Sequence, residues 1–156
     1  MPLSASEGLC VLVADDEAPA RQRIIDLLRP DSQVAAIIEV SDGLSAVEII
    51  QNRTPDLVFL DVQMPELNGL EVIAEVGAER MPLTVFVTAY DEHAIRAFEA
   101  NALDYLLKPF SDKRFDVTMA RVSSRMDEGA CGSLDGAFFA WFPQRLRGIC
   151  RWTVWW

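Results

Sequence analysis

Three carboxylates and a lysine stand where apolar runs stop. Asp61 follows residues 57–60, Leu-Val-Phe-Leu; Asp15 and Asp16 follow Leu9–Ala14; Lys108, ahead of Pro109, follows residues 103–107. Thr88 closes a fourth run, 83–87. Acids drawn together from separate strand ends repel one another, and at least one is held protonated unless a cation intervenes. Mg2+ suits such a cluster, because it is a hard octahedral ion that takes carboxylate and carbonyl oxygens and keeps part of its water. It can also neutralise phosphoryl oxygens and orient them for in-line attack. One carboxylate can then act as nucleophile and carry the phosphoryl group as an aspartyl phosphate. A lysine offers that group a point charge. Taken singly, Asp15 and Asp16 read as helix caps, Asp61 as a turn residue and Lys108 as a surface charge. Their common placement at strand ends favours one site built from several loops.

The elements that would position these residues follow a regular alternation. The runs Leu9–Ala14, Val34–Val40, 57–60, 83–87 and 103–107 are nearly continuous in apolar residues, as buried parallel strands are. Helix-period segments lie between them. Ala20, Ile24, Leu27 and Leu28 share one face, closed by Arg29-Pro30; Leu44, Val47 and Ile50 share the next. Leu70, Ile73, Ala74 and Gly77 mark a third helix, Ile95 and Phe98 a short fourth, and Phe115, Met119, Val122 and Met126 a fifth. The pattern is (βα)5, an α/β doubly wound parallel sheet with right-handed crossovers and helices on both faces. Ligands of such sheets sit outside the carboxyl ends of the strands, where Asp15, Asp16, Asp61, Thr88 and Lys108 all fall. Met64-Pro65 and Gly69 shape the loop after Asp61, the glycine by admitting an unusual dihedral.

The bulk properties set further bounds. The chain has 156 residues, 51% hydrophobic and 24% charged, which suits one globular domain with a real core. A formal net charge of −10 argues against a nucleic-acid surface in the main body. Residues 1–8 lack the basic start of a secretory signal, and no run reaches the roughly 18–20 apolar residues of a membrane span. Cys10 reads as a buried thiol, while Cys131 and Cys150 are isolated, so neither a disulfide framework nor a zinc site is expected. A cytoplasmic location follows. The expected organisation is an N-terminal extension over 1–8, a domain over 9–128 and an aromatic-rich tail over 129–156. The stretch 128–133 is small, glycine-rich and linker-like, and residues 130–156 hold all four tryptophans.

Four ordered motifs carry a resemblance. They are Val13-Ala14-Asp15-Asp16-Glu17, then Phe59-Leu60-Asp61-Val62-Gln63-Met64-Pro65 with Asn68-Gly69, then Val87-Thr88-Ala89, then 104–110, Asp-Tyr-Leu-Leu-Lys-Pro-Phe. Over residues 9–126 the chain resembles the receiver domain of two-component response regulators. Residues 97–105 further resemble the receivers that precede LytTR-type (LytR/AlgR-like) DNA-binding domains. The resemblance implies a flavodoxin-like sheet in the order 2-1-3-4-5. It implies Asp61 as phosphoacceptor, with Mg2+ held by Asp15, Asp16, Asp61 and the backbone carbonyl of Gln63. Thr88 would hydrogen-bond a phosphoryl oxygen and Lys108 would pair with the group, with the Lys108–Pro109 bond cis. Tyr105 would be the aromatic switch, turning inward as Thr88 moves. The phosphodonor would be a sensor histidine kinase or a small phosphodonor. The output would be homodimerisation or partner contact through the fourth helix, fifth strand and fifth helix. Direct nucleic-acid binding by this chain is not expected, and the chain would turn over no metabolite beyond catalysing its own phosphorylation and dephosphorylation.

Two other classes compete. A Mg2+-dependent phosphatase or phosphotransferase of the haloacid-dehalogenase kind also uses a strand-end aspartate, but carries a second aspartate two residues later as general acid. Here that position is Gln63, which cannot exchange a proton usefully near neutral pH. A flavodoxin-like cofactor binder would need a phosphate loop after the first strand, where Asp15-Asp16 would repel a flavin phosphate. His93, the sole histidine, reads as a solvated helix residue. A LytTR output domain needs on the order of 100 residues, so the tail over 129–156 reads as a truncated remnant, with a docking, interfacial or dimer-contact segment as the alternatives.

Overall fold

The computed structural model of the chain describes residues 8–89 and 102–131, with side chains through residue 127. Five strands, β1 (Leu9–Ala14), β2 (Val34–Val40), β3 (Leu57–Asp61), β4 (Leu83–Thr88) and β5 (Asp104–Leu107), form one sheet in the order β2-β1-β3-β4-β5. All four pairings are parallel. Four described helices pack on it: α1 (Ala18–Leu28), α2 (Gly43–Arg53), α3 (Gly69–Val76) and α4 (Asp112–Cys131). The last of these is the fifth helix of the sequence pattern. The expected fourth helix, with His93, lies outside the described residues.

Strand periodicity divides the core in two. Val11, Val13, Leu57, Phe59, Val85, Val87 and Leu106 point to the face covered by α1 and α4. Their alternates Leu12, Ala14, Val58, Leu60 and Phe86 point to the face covered by α2 and α3. Burial on both faces explains why β3 and β4 read as unbroken apolar runs, since every one of their residues is buried. Phe59 and Phe115 stack at 5.6 Å between centroids and tie β3 to α4.

Several sequence expectations need correction. β2 is an edge strand and none of its residues is fully buried. Leu44, placed on the inner face of α2, is 53% exposed; the inner face is Gly43, Ala46 and Ile50, because α2 presses its first turn against Leu67. In α3 the buried positions are Gly69, Val72 and Val76, while Leu70 and Ile73 are only partly covered and Ala74 is exposed. That helix is apolar on several sides, so spacing alone could not fix its rotation. The cap does: Asn68 Oδ1 accepts from Glu71 N at 2.9 Å and Glu71 Oε2 accepts from Asn68 N at 2.7 Å. Cys10 is only partly buried, with burial pushing its thiol pKa up. The helical backbone of α4 runs through 128–131 to Cys131, where a linker was expected. Among the described residues no helix is long and apolar enough to cross a membrane.

Candidate functional site

The strand order brings the chemically suggestive residues to one end of the sheet. Asp61 is the last residue of β3, and β1 and β4 flank it. The register pairs Ala14 with Leu60, so Asp15 emerges beside Asp61. Asp61 pairs with Val87, one residue before Thr88, and Thr88 pairs with Leu107, one residue before Lys108. Lys108 N donates to Thr88 O at 2.7 Å, which fixes where the lysine leaves the sheet. The Lys108–Pro109 bond is cis, as the resemblance implied.

Carboxylate oxygens of Asp15, Asp16, Glu17 and Asp61 all lie within 4.8 Å of one another. Asp15 and Asp61 are buried, and Asp16 and Glu17 face solvent. Lys108 Nζ sits among them, 2.9 Å from Asp15 Oδ2 and 3.4 Å from both Asp61 Oδ2 and Glu17 Oε1. Two backbone N–H groups brace the buried pair: Glu17 N donates to Asp15 Oδ1 at 2.9 Å and Gln63 N to Asp61 Oδ1 at 3.1 Å. Burial, and then the Asp15 charge, push the Asp61 carboxyl up to about 7; Lys108 and the Gln63 N–H pull the other way without cancelling them. For Lys108, burial disfavours the ammonium, but the surrounding carboxylates outweigh it and raise its pKa.

Two features suit a divalent cation. One lysine cannot balance four acids, and repulsion from Asp15 adds to burial in raising the Asp61 pKa. Asp15 Oδ2, although close to Lys108 Nζ, is buried and lies outside hydrogen-bonding geometry with every group around it. With the Lys108 ammonium as its near neighbour, this oxygen keeps lone-pair capacity for a cation. The oxygens of Asp15, Asp16 and Asp61 could hold Mg2+, and Glu17, to which the sequence reading gave no metal bond, joins the same cluster. Its nearness to Asp15-Asp16 in the chain was the available signal. Gln63 has its side chain in solvent. Thr88 is fully buried at the end of β4, and Tyr105 is partly buried on β5.

Gly69 corrects another expectation. Its φ is not in the left-handed region; the residue of this loop with positive φ is Glu66, at 69°. Glycine is required at 69 by close approach, because a Cβ there would lie 2.6 Å from Asp61 O and 3.1 Å from Val62 Cα. Gly69 N donates to Val62 O at 2.8 Å, so the start of α3 holds the loop behind Asp61.

The sequence reading also missed a second polar cluster. Asp104, fully buried at the start of β5, accepts from Arg114 Nη1 and Nη2 at 2.9 and 2.8 Å, Thr118 Oγ1 at 2.8 Å and Arg121 Nη1 at 3.0 Å. Burial alone would raise the Asp104 pKa, but the bonds from Arg114, Thr118 and the Tyr105 N–H bring it below the usual carboxylate value. Nothing in the spacing announces this pairing, because it depends on how α4 lies along β5.

Comparison with known proteins agrees with this geometry. The response regulator receiver domain family matches residues 11–120. An uncharacterized response regulatory protein of Yersinia pestis is 49% identical over 115 residues, covering 74% of this chain and 48% of that protein. The transcriptional regulatory protein BtsR of Escherichia coli K12 is 41% identical over 112 residues, 72% of this chain and 47% of that one. The chain thus spans about half the length of the curated relatives it matches. Among solved structures, the response regulatory domain of mrkE from Klebsiella pneumoniae aligns with a TM-score of 0.66 at 31% identity, over 75% of this chain and 97% of that domain. The response regulator domain of Thermotoga maritima CheB, at 23% identity and a TM-score of 0.65 over 74% of this chain and 97% of its own, shares the fold. With most of its length matched and its acids gathered at the carboxyl ends of β1 and β3, the chain belongs to the receiver domain family of response regulators.

Proposed function

We propose that Asp61 is the phosphoacceptor of a two-component signalling switch, with Asp15, Asp16 and the Gln63 carbonyl completing a Mg2+ site beside it. The observation that carries this reading is the placement of Lys108 Nζ within 3.4 Å of both Asp15 Oδ2 and Asp61 Oδ2 at the sheet's carboxyl edge. Mg2+ bound there would neutralise the oxygens of an incoming phosphoryl group. A carboxylate oxygen of Asp61 attacks the phosphorus of a phosphohistidine, the P–N bond breaks, and its electron pair leaves on the imidazole nitrogen. Lys108 pairs with one phosphoryl oxygen and the Thr88 hydroxyl donates to another. Water attack on the same phosphorus later returns Asp61 and inorganic phosphate. Both steps are self-catalysed, and the donor is a sensor histidine kinase or a small phosphodonor.

The receiver unit occupies residues 9–128, after an extension over 1–8 and before the aromatic-rich segment from 129. Its readout is homodimerisation or partner contact through residues 90–101, which precede β5, together with β5 and α4, with Tyr105 as the switch. The identity with BtsR supports a transcription-regulating output, and the motif over 97–105 favours the LytTR kind. A phosphatase of the haloacid-dehalogenase kind finds no support. The matched family is a different one, and the exposed Gln63 amide cannot replace that enzyme's general acid. The direct test is labelling with acetyl phosphate and Mg2+. We expect the native chain to be labelled and Asp61→Asn to lose labelling; equal labelling of the two removes Asp61 as the acceptor.

A further inference from the structure

Arg114 makes more contacts at β5 than an ordinary surface ion pair. Its guanidinium donates to Asp104 Oδ1 and Oδ2, to Thr118 Oγ1 at 3.0 Å and to Tyr105 O at 2.9 Å. Its Cζ lies 6.0 Å from the centroid of the Tyr105 ring. The Tyr105 N–H is also engaged, donating to Asp104 Oδ1 at 2.9 Å. Both backbone polar groups of Tyr105 therefore end in one network, on the strand that ends the sheet among the described residues. That network is anchored by a carboxylate with no exposed surface. The Arg114 fork is thus fixed before it meets the ring, and a fixed planar cation is the geometry in which a contact with an aromatic face is directional.

We infer that Arg114 is a positioning residue for Tyr105: it holds the ring in the place seen here and thereby sets the threshold of the switch. The inference rests on the reading of Tyr105 as the moving aromatic. The ring also packs against the core cluster on the α2–α3 face; on the switch reading, a further inward turn about the side-chain torsion would keep the backbone bonds to Asp104 and Arg114 while moving the ring off the guanidinium. At a part-exposed site such a contact biases an equilibrium about 2–5-fold. Removing it raises the inward fraction by that factor and lowers by the same factor the amount of activating ligand needed, because apparent affinity scales with the competent fraction.

Replacing Arg114 need not unfold the chain. Without it, Asp104 keeps bonds from Thr118, Arg121 and the Tyr105 N–H. Arg121 supplies the control, since it touches the same carboxylate and makes no contact with the Tyr105 ring among the described interactions. The experiment uses the full chain labelled with 3-fluorotyrosine, observed by 19F NMR during a beryllofluoride titration with Mg2+. Tyr90→Phe, made in every sample, leaves Tyr105 as the one reporter. In Arg114→Gln the Tyr105 resonance without ligand should move toward its activated position, and the titration midpoint should fall 2–5-fold. In Arg121→Gln neither should change. An unmoved resonance and midpoint in Arg114→Gln, or the same shift in Arg121→Gln, overturns the positioning role. If beryllofluoride leaves the Tyr105 resonance in place with Arg114 present, the switch reading itself fails and takes this inference with it.

Discussion

Asp61 meets two opposing demands. In its proposed role as nucleophile it must be ionised, yet burial and Asp15 raise its pKa to about 7 in the absence of a cation. The consequence for stability has a definite sign. A folded-state pKa above the unfolded value of 3.8 means that the native protein binds the extra proton between those pH values. Stability from this group is therefore full below about pH 4 and is lost as pH rises through about 7. Asp61→Asn removes the titration. In EDTA we expect the variant's stability advantage, measured by urea unfolding, to grow from near zero at pH 4 to on the order of a few kcal/mol at pH 8. Added Mg2+ should stabilise the native protein at pH 8 far more than the variant, by mass action on the folded state. A pH-independent difference between the two proteins would show that Asp61 is not held up in this way.

At the scale of elements, the start of α3 is what keeps Asp61 in place, and Gly69 is its tightest point. Gly69→Ala puts a methyl group 2.6 Å from Asp61 O, with backbone as the obstacle. We expect a loss of about 1–3 kcal/mol together with slower acetyl-phosphate labelling, because the Asp61–Gln63 turn must shift. Gly77→Ala is the comparison. Its φ of 94° makes alanine strained there, but a Cβ meets nothing within 4 Å. It should lose about 1–2 kcal/mol and keep its labelling rate; equal labelling in the two variants would detach the loop from the chemistry. The sequence showed that Gly69 mattered but suggested the wrong cause, since the close approach exists only after β3 and α3 are brought together. The same limit explains what else was legible. Asp15, Asp61, Thr88 and Lys108 could be placed because each ends an apolar run, and strand ends in a parallel sheet converge. The faces of α2 and α3 could not, because Leu44, Leu70 and Ile73 are apolar on sides that α2–α3 packing leaves partly open. The Asp104–Arg114 pair was invisible for a related reason: a strand residue and a helix residue ten positions apart meet only through the angle between their elements.

At the scale of the whole molecule, a net charge of −10 makes copies of this chain repel at a distance, so association needs a local surface that outweighs the field. The face of β5 and α4 has suitable ingredients. Leu107 and Val117 are 38% and 44% exposed, two of the three large apolar side chains in that state among the described residues. Beside them two arginines share the single Asp104 carboxylate and leave positive charge in surplus. In the proposed switch, a phosphoryl group at Asp61 would change the charge beside Lys108 at the far end of β5, and through Lys108, Thr88 and Tyr105 that change would alter this face rather than the acidic remainder. We expect sedimentation of the full chain to show a larger dimer fraction with beryllofluoride and Mg2+ than without. Val117→Glu, outside the proposed phosphorylation site, should abolish that increase while leaving acetyl-phosphate labelling intact. A dimer that persists in Val117→Glu would move the interface to another face, and an unchanged monomer in both conditions would separate phosphorylation from association altogether.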